Sequence, residues 1–267
     1  AFNHRLGTDR PILAQYFTAM RRVFTLNFGD AYTTQSKVND IIFPALWRSS
    51  KLAVLAFILT IPISILAGIV AARRQDKLAD RAIVNLGLAS SSIPEFVSAA
   101  VLLAVFCVHW KIGKAFANPP KGIGIVKQLE YLLMPALAMA IAYFGYLARM
   151  TRAGVISALQ SDYVRTATMK GFTSGQVMRK HILRNALAPT ITVISVQIGY
   201  LFGGIIGVEK VFNYNGLGTT MLVAAKNRDI PLLQGAVLLI GVIYMVSTLL
   251  ADLLIAFLNP RVRLESK

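Results

Sequence analysis

Residues 149–189, RMTRAGVISALQSDYVRTATMKGFTSGQVMRKHILRNALAP, are polar and basic, although long apolar segments flank them on both sides. In the first half of this stretch apolar side chains recur every three or four residues, which predicts one side of a helix. They are Val155, Ile156, Leu159, Tyr163, Val164 and Ala167. Gly171 is expected to end that helix, because glycine enters the left-handed backbone conformation at little cost.

A second helix is predicted to begin immediately after Gly171. Thr173 and Gln176 have the spacing of a capping box, and Phe172 and Val177 stand where a hydrophobic staple would have its two members. The stretch therefore predicts a helix–turn–helix between two apolar segments. Such a unit is typical of a docking device, but a basic amphipathic helix lying on the lipid surface is an equally good interpretation of the pattern alone.

The composition predicts a polytopic membrane protein. Of 267 residues 55% are hydrophobic, and the mean hydropathy is +0.59, which is too apolar for an ordinary soluble domain. The formal charge of +16 is spread among the apolar segments, and no nucleic-acid motif is present, so anionic lipid and protein are better partner candidates than nucleic acid. The single Cys107 cannot form an intrachain disulfide.

The predicted fold is all-α, with five visible transmembrane helices. They cover residues 52–72, 82–108, 131–148, 186–208 and 230–258. Pro62 is expected to kink the first and Pro94 to break the second. In the fourth, Gly199, Gly203 and Gly207 are four residues apart, a pattern that favours close helix packing over a place in a translocation pathway.

Residues 162–189 resemble the coupling loop of ABC-importer permeases, in the form found in the dipeptide, oligopeptide and nickel family. The matching residues are Tyr163, Val164, Arg165, Thr166, Ala167, Lys170, Gly171, His181, Arg184, Asn185, Ala186, Leu187 and Pro189. The wider superfamily has Glu-Ala-Ala where this chain has Arg165, Thr166 and Ala167, and its proline lies closer to the glycine. Both departures fit the peptide and nickel branch.

A second stretch, residues 208–235, resembles the family's segment near the outer mouth of the pathway. The matches are Val208, Glu209, Val211, Phe212, Gly216, Leu217, Gly218, Arg228, Asp229, Pro231, Gln234 and Gly235. A re-entrant turn held only by packing is the alternative for this glycine-rich stretch.

The resemblance implies a type I ABC importer permease in a bacterial or archaeal plasma or inner membrane. It implies an extracytoplasmic segment over residues 1–51, a permease domain over 52–258 with a cytoplasmic coupling loop over 149–185, and a cytoplasmic tail over 259–267. A sixth, N-terminal transmembrane helix is expected and is absent from this sequence. Orientation also comes from the resemblance, because Arg73 and Arg149 favour one side under the positive-inside rule while Arg48 and Lys51 favour the other.

The partners that the resemblance implies are a second permease, two cytoplasmic ATPase subunits and an extracytoplasmic substrate-binding protein. No cofactor is expected, since Gly113 and Lys114 lack the rest of a Walker A motif and ATP would be bound by the partner subunits. No metal site is expected either, because the three histidines are far apart in sequence. The chain is therefore interpreted as a non-catalytic subunit that carries peptides, or a related substrate such as nickel.

Two groups of residues are candidates for function. The ATPase-coupling group is Asp162, Tyr163, Val164, Arg165, Thr166, Ala167, Lys170, Gly171, Val177, Met178 and His181, with Tyr163, Val164, Ala167, Val177 and Met178 expected to form an apolar gripping face. The pathway group is Glu95, Gly199, Gly203, Gly207, Glu209, Gly216, Gly218, Asp229 and Asp252.

Glu95 and Asp252 are predicted inside spans, where a charged carboxylate costs a few kcal/mol and is usually turned to a cavity or a partner. Glu95 either attracts a cationic group in the pathway or bonds to a neighbouring helix. A structural pairing is the expectation for Asp252. The rival interpretation of the whole chain is a self-contained secondary transporter or channel, with Pro62 and Pro94 as mid-membrane breaks, although no internal repeat is visible. A non-transporting membrane scaffold is a third possibility.

Overall fold

A computed structural model describes residues 11–120 and 122–258 of the chain. Over that part the regular elements are helices, joined by turns and one antiparallel bridge between Asp30 and Lys37. The helices are α1 (Ile12–Phe24), α2 (Val38–Arg73), α3 (Leu78–Ser92), α4 (Glu95–Leu102, prolonged by a π-helical segment Leu103–His109), α5 (Ile125–Leu159), α6 (Asp162–Met169), α7 (Ser174–Val177), a π-helical segment Met178–Ile182, α8 (Leu183–Ala186), α9 (Ala188–Val211), α10 (Leu217–Lys226) and α11 (Ile230–Leu258). The predicted tail, residues 259–267, lies outside the described residues.

Four of these helices, α2, α5, α9 and α11, are long and apolar enough to cross a membrane. The remaining predicted span, residues 82–108, is broken, because α3 and α4 meet at an angle of 98°. Pro94 causes the break: it has no N–H to donate, and it forces Ile93 into an extended conformation, with ψ of 122°. The all-α prediction is confirmed, and the break predicted at Pro94 is present.

The helices extend well beyond the apolar runs that predicted them. α2 begins at Val38, so residues 38–51, expected in the extracytoplasmic segment, are the first turns of the spanning helix. α5 runs to Leu159, so the coupling loop predicted from residue 149 begins inside that helix. Hydropathy predicts only the part of a helix that lies in the hydrocarbon core of the bilayer. Backbone hydrogen bonds can continue the same helix into water, so its ends lie beyond the apolar run.

α5 is the central helix of the bundle, packed against α2, α3, α4 and α9. Its most apolar window is 61% buried, compared with 11% for α11. Small residues permit this packing: a Cβ on Gly145 would lie only 1.7 Å from the carbonyl oxygen of Gly87 on α3, and one on Gly154 would lie 2.2 Å from that of Ala186. These glycines are therefore crossing points of the helices.

The three evenly spaced glycines of α9 do not share one role. A Cβ on Gly199 would meet the ring of Tyr244 on α11, and a Cβ on Gly207 would meet Phe96 on α4. Gly203 faces open space, with no atom within 4 Å of an added Cβ. The prediction of close helix packing therefore holds for Gly199 and Gly207, whereas Gly203 makes no close contact with another helix.

Candidate functional site

The helix–turn–helix forms at one end of the bundle. The apolar pattern predicted one uninterrupted first helix, but the structure interrupts it. α5 ends at Leu159 and α6 begins at Asp162. Between them Ser161 is extended, with ψ of 149°, and its hydroxyl donates a hydrogen bond of 2.5 Å to the carbonyl of Ala158. A serine that bonds the preceding turn competes with the helix. The single helix expected from Val155 to Ala167 is therefore two helices.

The turn between α6 and α7 has the predicted chemistry. Gly171 has φ of +82°, the left-handed conformation that glycine adopts most easily. Thr173 Oγ1 accepts a hydrogen bond from the backbone N–H of Gln176, and Gln176 Oε1 accepts one from the backbone N–H of Thr173, which completes the capping box. Phe172 lies against the ring of His181, with ring centroids 5.6 Å apart.

The apolar face of the helix–turn–helix is turned into the bundle. Val164, Ala167, Val177 and Met178 are all buried in a cluster that also takes in Ala72 from α2, Val155 and Ala158 from α5, and Ile182 and Ala186. In this structure these four side chains therefore pack within their own chain, and their grip on an ATPase stays a prediction. These side chains pack against the ends of α2 and α5 because this contact removes their apolar surface from water without needing a partner protein.

The outward surface of the helix–turn–helix is consequently polar and basic. Asp162, Arg165, Thr166, Lys170 and Gly171 are exposed, and Tyr163 and His181 are half-buried. Two large apolar side chains of the unit are exposed, Met169 at 72% and Phe172 at 36%. A cleft of about 410 Å³ lies between the end of α5 and the start of α9, lined in part by Ser157, Tyr163 and Asn185.

A buried ion pair ties the helix–turn–helix end of α5 to the start of α3. Arg152 Nε and Nη2 donate to the two carboxylate oxygens of Asp80, each at 2.6 Å, in a bidentate arrangement. Asp80 is only 3% exposed and also accepts a hydrogen bond of 2.9 Å from the backbone N–H of Asp76. Asp80 and Arg152 were not among the predicted site residues.

At the opposite end of the bundle, Glu209 lies at the centre of a buried hydrogen-bond network. It is 0% exposed, and its Oε1 accepts a hydrogen bond of 2.5 Å from the hydroxyl of Ser49 on α2. Its Oε2 accepts one of 2.8 Å from the backbone N–H of Thr219, while Ser49 Oγ accepts from the N–H of Leu217. Glu209 therefore joins α2 and α9 to the start of α10.

Gly216 and Gly218 leave room for that carboxylate. A Cβ on Gly216 would lie 1.9 Å from Glu209 Oε1, and one on Gly218 would lie 3.1 Å from Oε2. The neighbouring Tyr214 donates its hydroxyl to the carbonyl of Arg48 at 2.8 Å. Burial, and then the charge of Glu209, raise the pKa of Tyr214 above its ordinary value, so this hydroxyl stays protonated as a donor.

Asp229 anchors the same end of the bundle. It is 1% exposed, and its carboxylate accepts hydrogen bonds from the backbone N–H of Thr33 at 2.9 Å and of Leu232 in the first turn of α11 at 3.4 Å. Burial opposes ionisation, but hydrogen bonds from Thr33 and neighbouring backbone amides hold the pKa of Asp229 below its ordinary value. Glu209, Gly216, Gly218 and Asp229 thus lie in contacts with their own chain, and their place along a pathway stays a prediction.

Glu95 lies well inside the bundle, at the break between α3 and α4. Its Oε1 is 2.7 Å from the position that a Cβ on Gly204 of α9 would occupy, and the hydroxyl of Tyr143 on α5 is 3.2 Å from the same position. Asp252 is exposed on α11, and no ion pair to it is seen within residues 11–120 and 122–258. The pairing expected for Asp252 is therefore not made by the described part of this chain.

Comparison with known proteins identifies the family. The family model for the binding-protein-dependent transport system inner membrane component matches residues 64–264. The chain belongs to this family. It is a multi-pass inner-membrane permease component of a transport system, and as such works with other transporter subunits.

Relatives and a solved structure agree with this assignment. The chain is 31% identical to a probable peptide ABC transporter permease protein of Sinorhizobium fredii (strain NBRC 101917 / NGR234), over 97% of this chain and 82% of the relative. It is 30% identical to a di/tripeptide transport system permease protein of Pseudomonas aeruginosa (strain UCBPP-PA14), over 97% and 83%. A crystal structure of an amino acid ABC transporter with histidines has the same fold, with a TM-score of 0.52, 20% identity, and coverage of 92% of this chain and 98% of that one.

Proposed function

We propose that this permease forms half of the translocation pathway of an ATP-driven importer of di- or oligopeptides. The family assignment and the two relatives named for peptide transport support this substrate class. The proposed complex adds a second permease of similar fold, two cytoplasmic ATPase subunits that bind the ATP, and an extracytoplasmic binding protein. The helix–turn–helix end of the bundle then faces the cytoplasm.

The observation that carries the coupling mechanism is the attachment of the helix–turn–helix to the spans. Its apolar face is buried against α2 and α5, and α5 is joined to α3 by Asp80 and Arg152. A unit held in this way moves together with the helices that line the bundle. Closure of the ATPases on nucleotide binding would therefore be transmitted to α5 without being absorbed by a loose loop.

The docking surface that we propose for the ATPase is the exposed one. Arg165 and Lys170 offer positive charge next to the exposed apolar side chain of Met169, and Thr166 adds a hydroxyl. A partner groove with acidic residues around an apolar pocket would complement this surface. Val164, Ala167, Val177 and Met178 contribute by holding the surface in place.

Gly171 provides a matched test of this role. Gly171→Ala should strain the turn by about 1 kcal/mol, because an L residue is disfavoured at positive φ. Gly175→Ala is the control, since an added Cβ meets no atom within 4 Å at either position but Gly175 lies in α7 without a positive φ. In proteoliposomes with the partner subunits, we expect Gly171→Ala to lower peptide uptake per ATP hydrolysed while Gly175→Ala does not. Equal coupling ratios in the two variants would contradict the lever role.

Uptake measured in the same proteoliposomes also tests whether the protein is an ATP-driven importer or a self-contained secondary transporter. We expect peptide uptake to require ATP, the ATPase subunits and the binding protein, and to persist when ion gradients are collapsed by ionophores. Uptake by this chain and its sister permease alone, driven by a proton or sodium gradient, would instead establish a secondary transporter.

A further inference from the structure

Tyr143 carries a polar group that the described part of the chain leaves unsatisfied. The residue is 4% exposed. Its hydroxyl makes no hydrogen bond of ordinary geometry among the described residues, and the Glu95 carboxylate is close enough to interact with it. The ring itself is held, stacked on Phe57 of α2 with centroids 6.5 Å apart. A buried hydroxyl beside a carboxylate, without a well-formed hydrogen bond between them, leaves both groups able to bond to a third polar group.

The Glu95 carboxylate faces the same point. Gly204 presents a bare Cα to both Glu95 Oε1 and the Tyr143 hydroxyl, and any side chain there would collide with the carboxylate. Glu95 is half-buried, and no ion pair to it occurs within the residues that the structure describes. A carboxylate without a cation in a membrane interior is unfavourable and usually faces a cavity or a ligand.

One side of α9 beside this point is open. Gly203, next to Gly204, is exposed and has no atom within 4 Å of an added Cβ. Tyr143 lies near the middle of α5, and the bend at Pro94 places Glu95 in the first turn of α4. Three helices thus bring the Glu95 carboxylate, the Tyr143 hydroxyl and the bare Cα of Gly204 together, one residue from the exposed Gly203.

We propose that Glu95 and Tyr143 form a recognition point for a protonated primary amine of the transported solute, the amino terminus or a lysine side chain of a peptide. The carboxylate accepts hydrogen bonds from the ammonium group, and the Tyr143 hydroxyl accepts another. A metal ion fits the site less well, because among the described residues no three His, Cys, Asp or Glu side chains come together as ligands. This inference rests on the proposed peptide import.

The test compares Glu95→Gln and Tyr143→Phe with the wild-type complex in proteoliposomes, using alanyl-alanine as the probe. Glu130→Gln is the control, because Glu130 is an exposed carboxylate on α5. At pH 7 we expect Glu95→Gln to lower uptake about tenfold and Tyr143→Phe severalfold, with unchanged binding-protein-stimulated ATP hydrolysis. The deficit of Glu95→Gln should shrink at pH 9, where the peptide amine, with a pKa of about 8, is largely neutral.

The outcomes separate the two proposals. If the wild-type complex takes up no alanyl-alanine, the peptide proposal fails and this one with it. If wild-type uptake is normal and both variants equal it, or if the deficit is the same at pH 7 and pH 9, only the amine site is overturned. Should Glu95→Gln fail to assemble, Tyr143→Phe, which keeps the ring and its stacking, decides by the same uptake measurement.

Discussion

Asp80→Asn is expected to destabilise the permease by about 3 kcal/mol and to abolish most of its coupled transport. Removing one member of a buried ion pair leaves the other charge without compensation, at a cost of roughly 3–5 kcal/mol for full burial. Asp80 is buried, but the Arg152 side chain keeps 26% exposure, which places the cost at the lower end of that range. The measurement is the thermal midpoint of the purified complex in detergent, followed by uptake per ATP.

Asp76→Asn is the matched control for this prediction. Asp76 stands in the same turn as Asp80, is exposed, and has φ of +64°, a conformation that asparagine tolerates. The substitution removes the same charge but keeps the backbone N–H that bonds to Asp80. A near-zero change for Asp76→Asn beside a large one for Asp80→Asn would locate the effect in the pair with Arg152.

A double-mutant cycle then measures the pair itself. Arg152→Ala alone should cost about as much as Asp80→Asn, and the double variant should cost less than the sum of the two. If the two single effects simply add, the contact between Asp80 and Arg152 contributes nothing of its own. In that event the attachment of α5 to α3 would rest on the close packing at Gly87 and Gly145.

The sequence predicts the features that depend on local chemistry. Apolar runs locate the spanning helices, Pro94 marks the break between α3 and α4, and the spacing of Thr173 and Gln176 predicts a capping box that the structure contains. Each of these follows from a few neighbouring residues. Gly171 belongs to the same class, because a helix end and a capping residue on either side favour a positive φ there.

Features that depend on distant residues are not visible in one sequence. Helical spacing correctly grouped Val164 with Ala167 but gave no sign that their common face packs on Ala72, far away in the chain. Asp80 is next to Arg81 in sequence, yet its partner is Arg152, 72 positions away. The Ser161 break was also missed, because the apolar pattern runs across it while the serine hydroxyl bonds backwards.

Glu209→Ala is expected to lower the free energy of unfolding by roughly 3–5 kcal/mol, at least as much as Asp80→Asn. It leaves the Ser49 hydroxyl and the Thr219 backbone N–H without their acceptor, at about 1–3 kcal/mol for each buried donor, and it opens a cavity. The region between α9 and α10 should loosen first, and protease sensitivity of residues 212–219 should rise along with the fall in thermal midpoint.

Three further variants distinguish the loss of hydrogen bonds from the loss of side-chain volume. Glu209→Gln keeps the size of the side chain but replaces one acceptor oxygen by a donor, so it should cost about 1–3 kcal/mol. Gly216→Ala keeps every acceptor but places a methyl group 1.9 Å from Oε1, which forces the carboxylate away from Ser49. Gly203→Ala, on the same helix as Glu209 and facing open space, should be close to neutral. If Glu209→Ala and Glu209→Gln were as mild as Gly203→Ala, the carboxylate would not be what fastens α10 to α2, and a role towards a solute or a partner would be the better explanation of a buried acid at this end of the bundle.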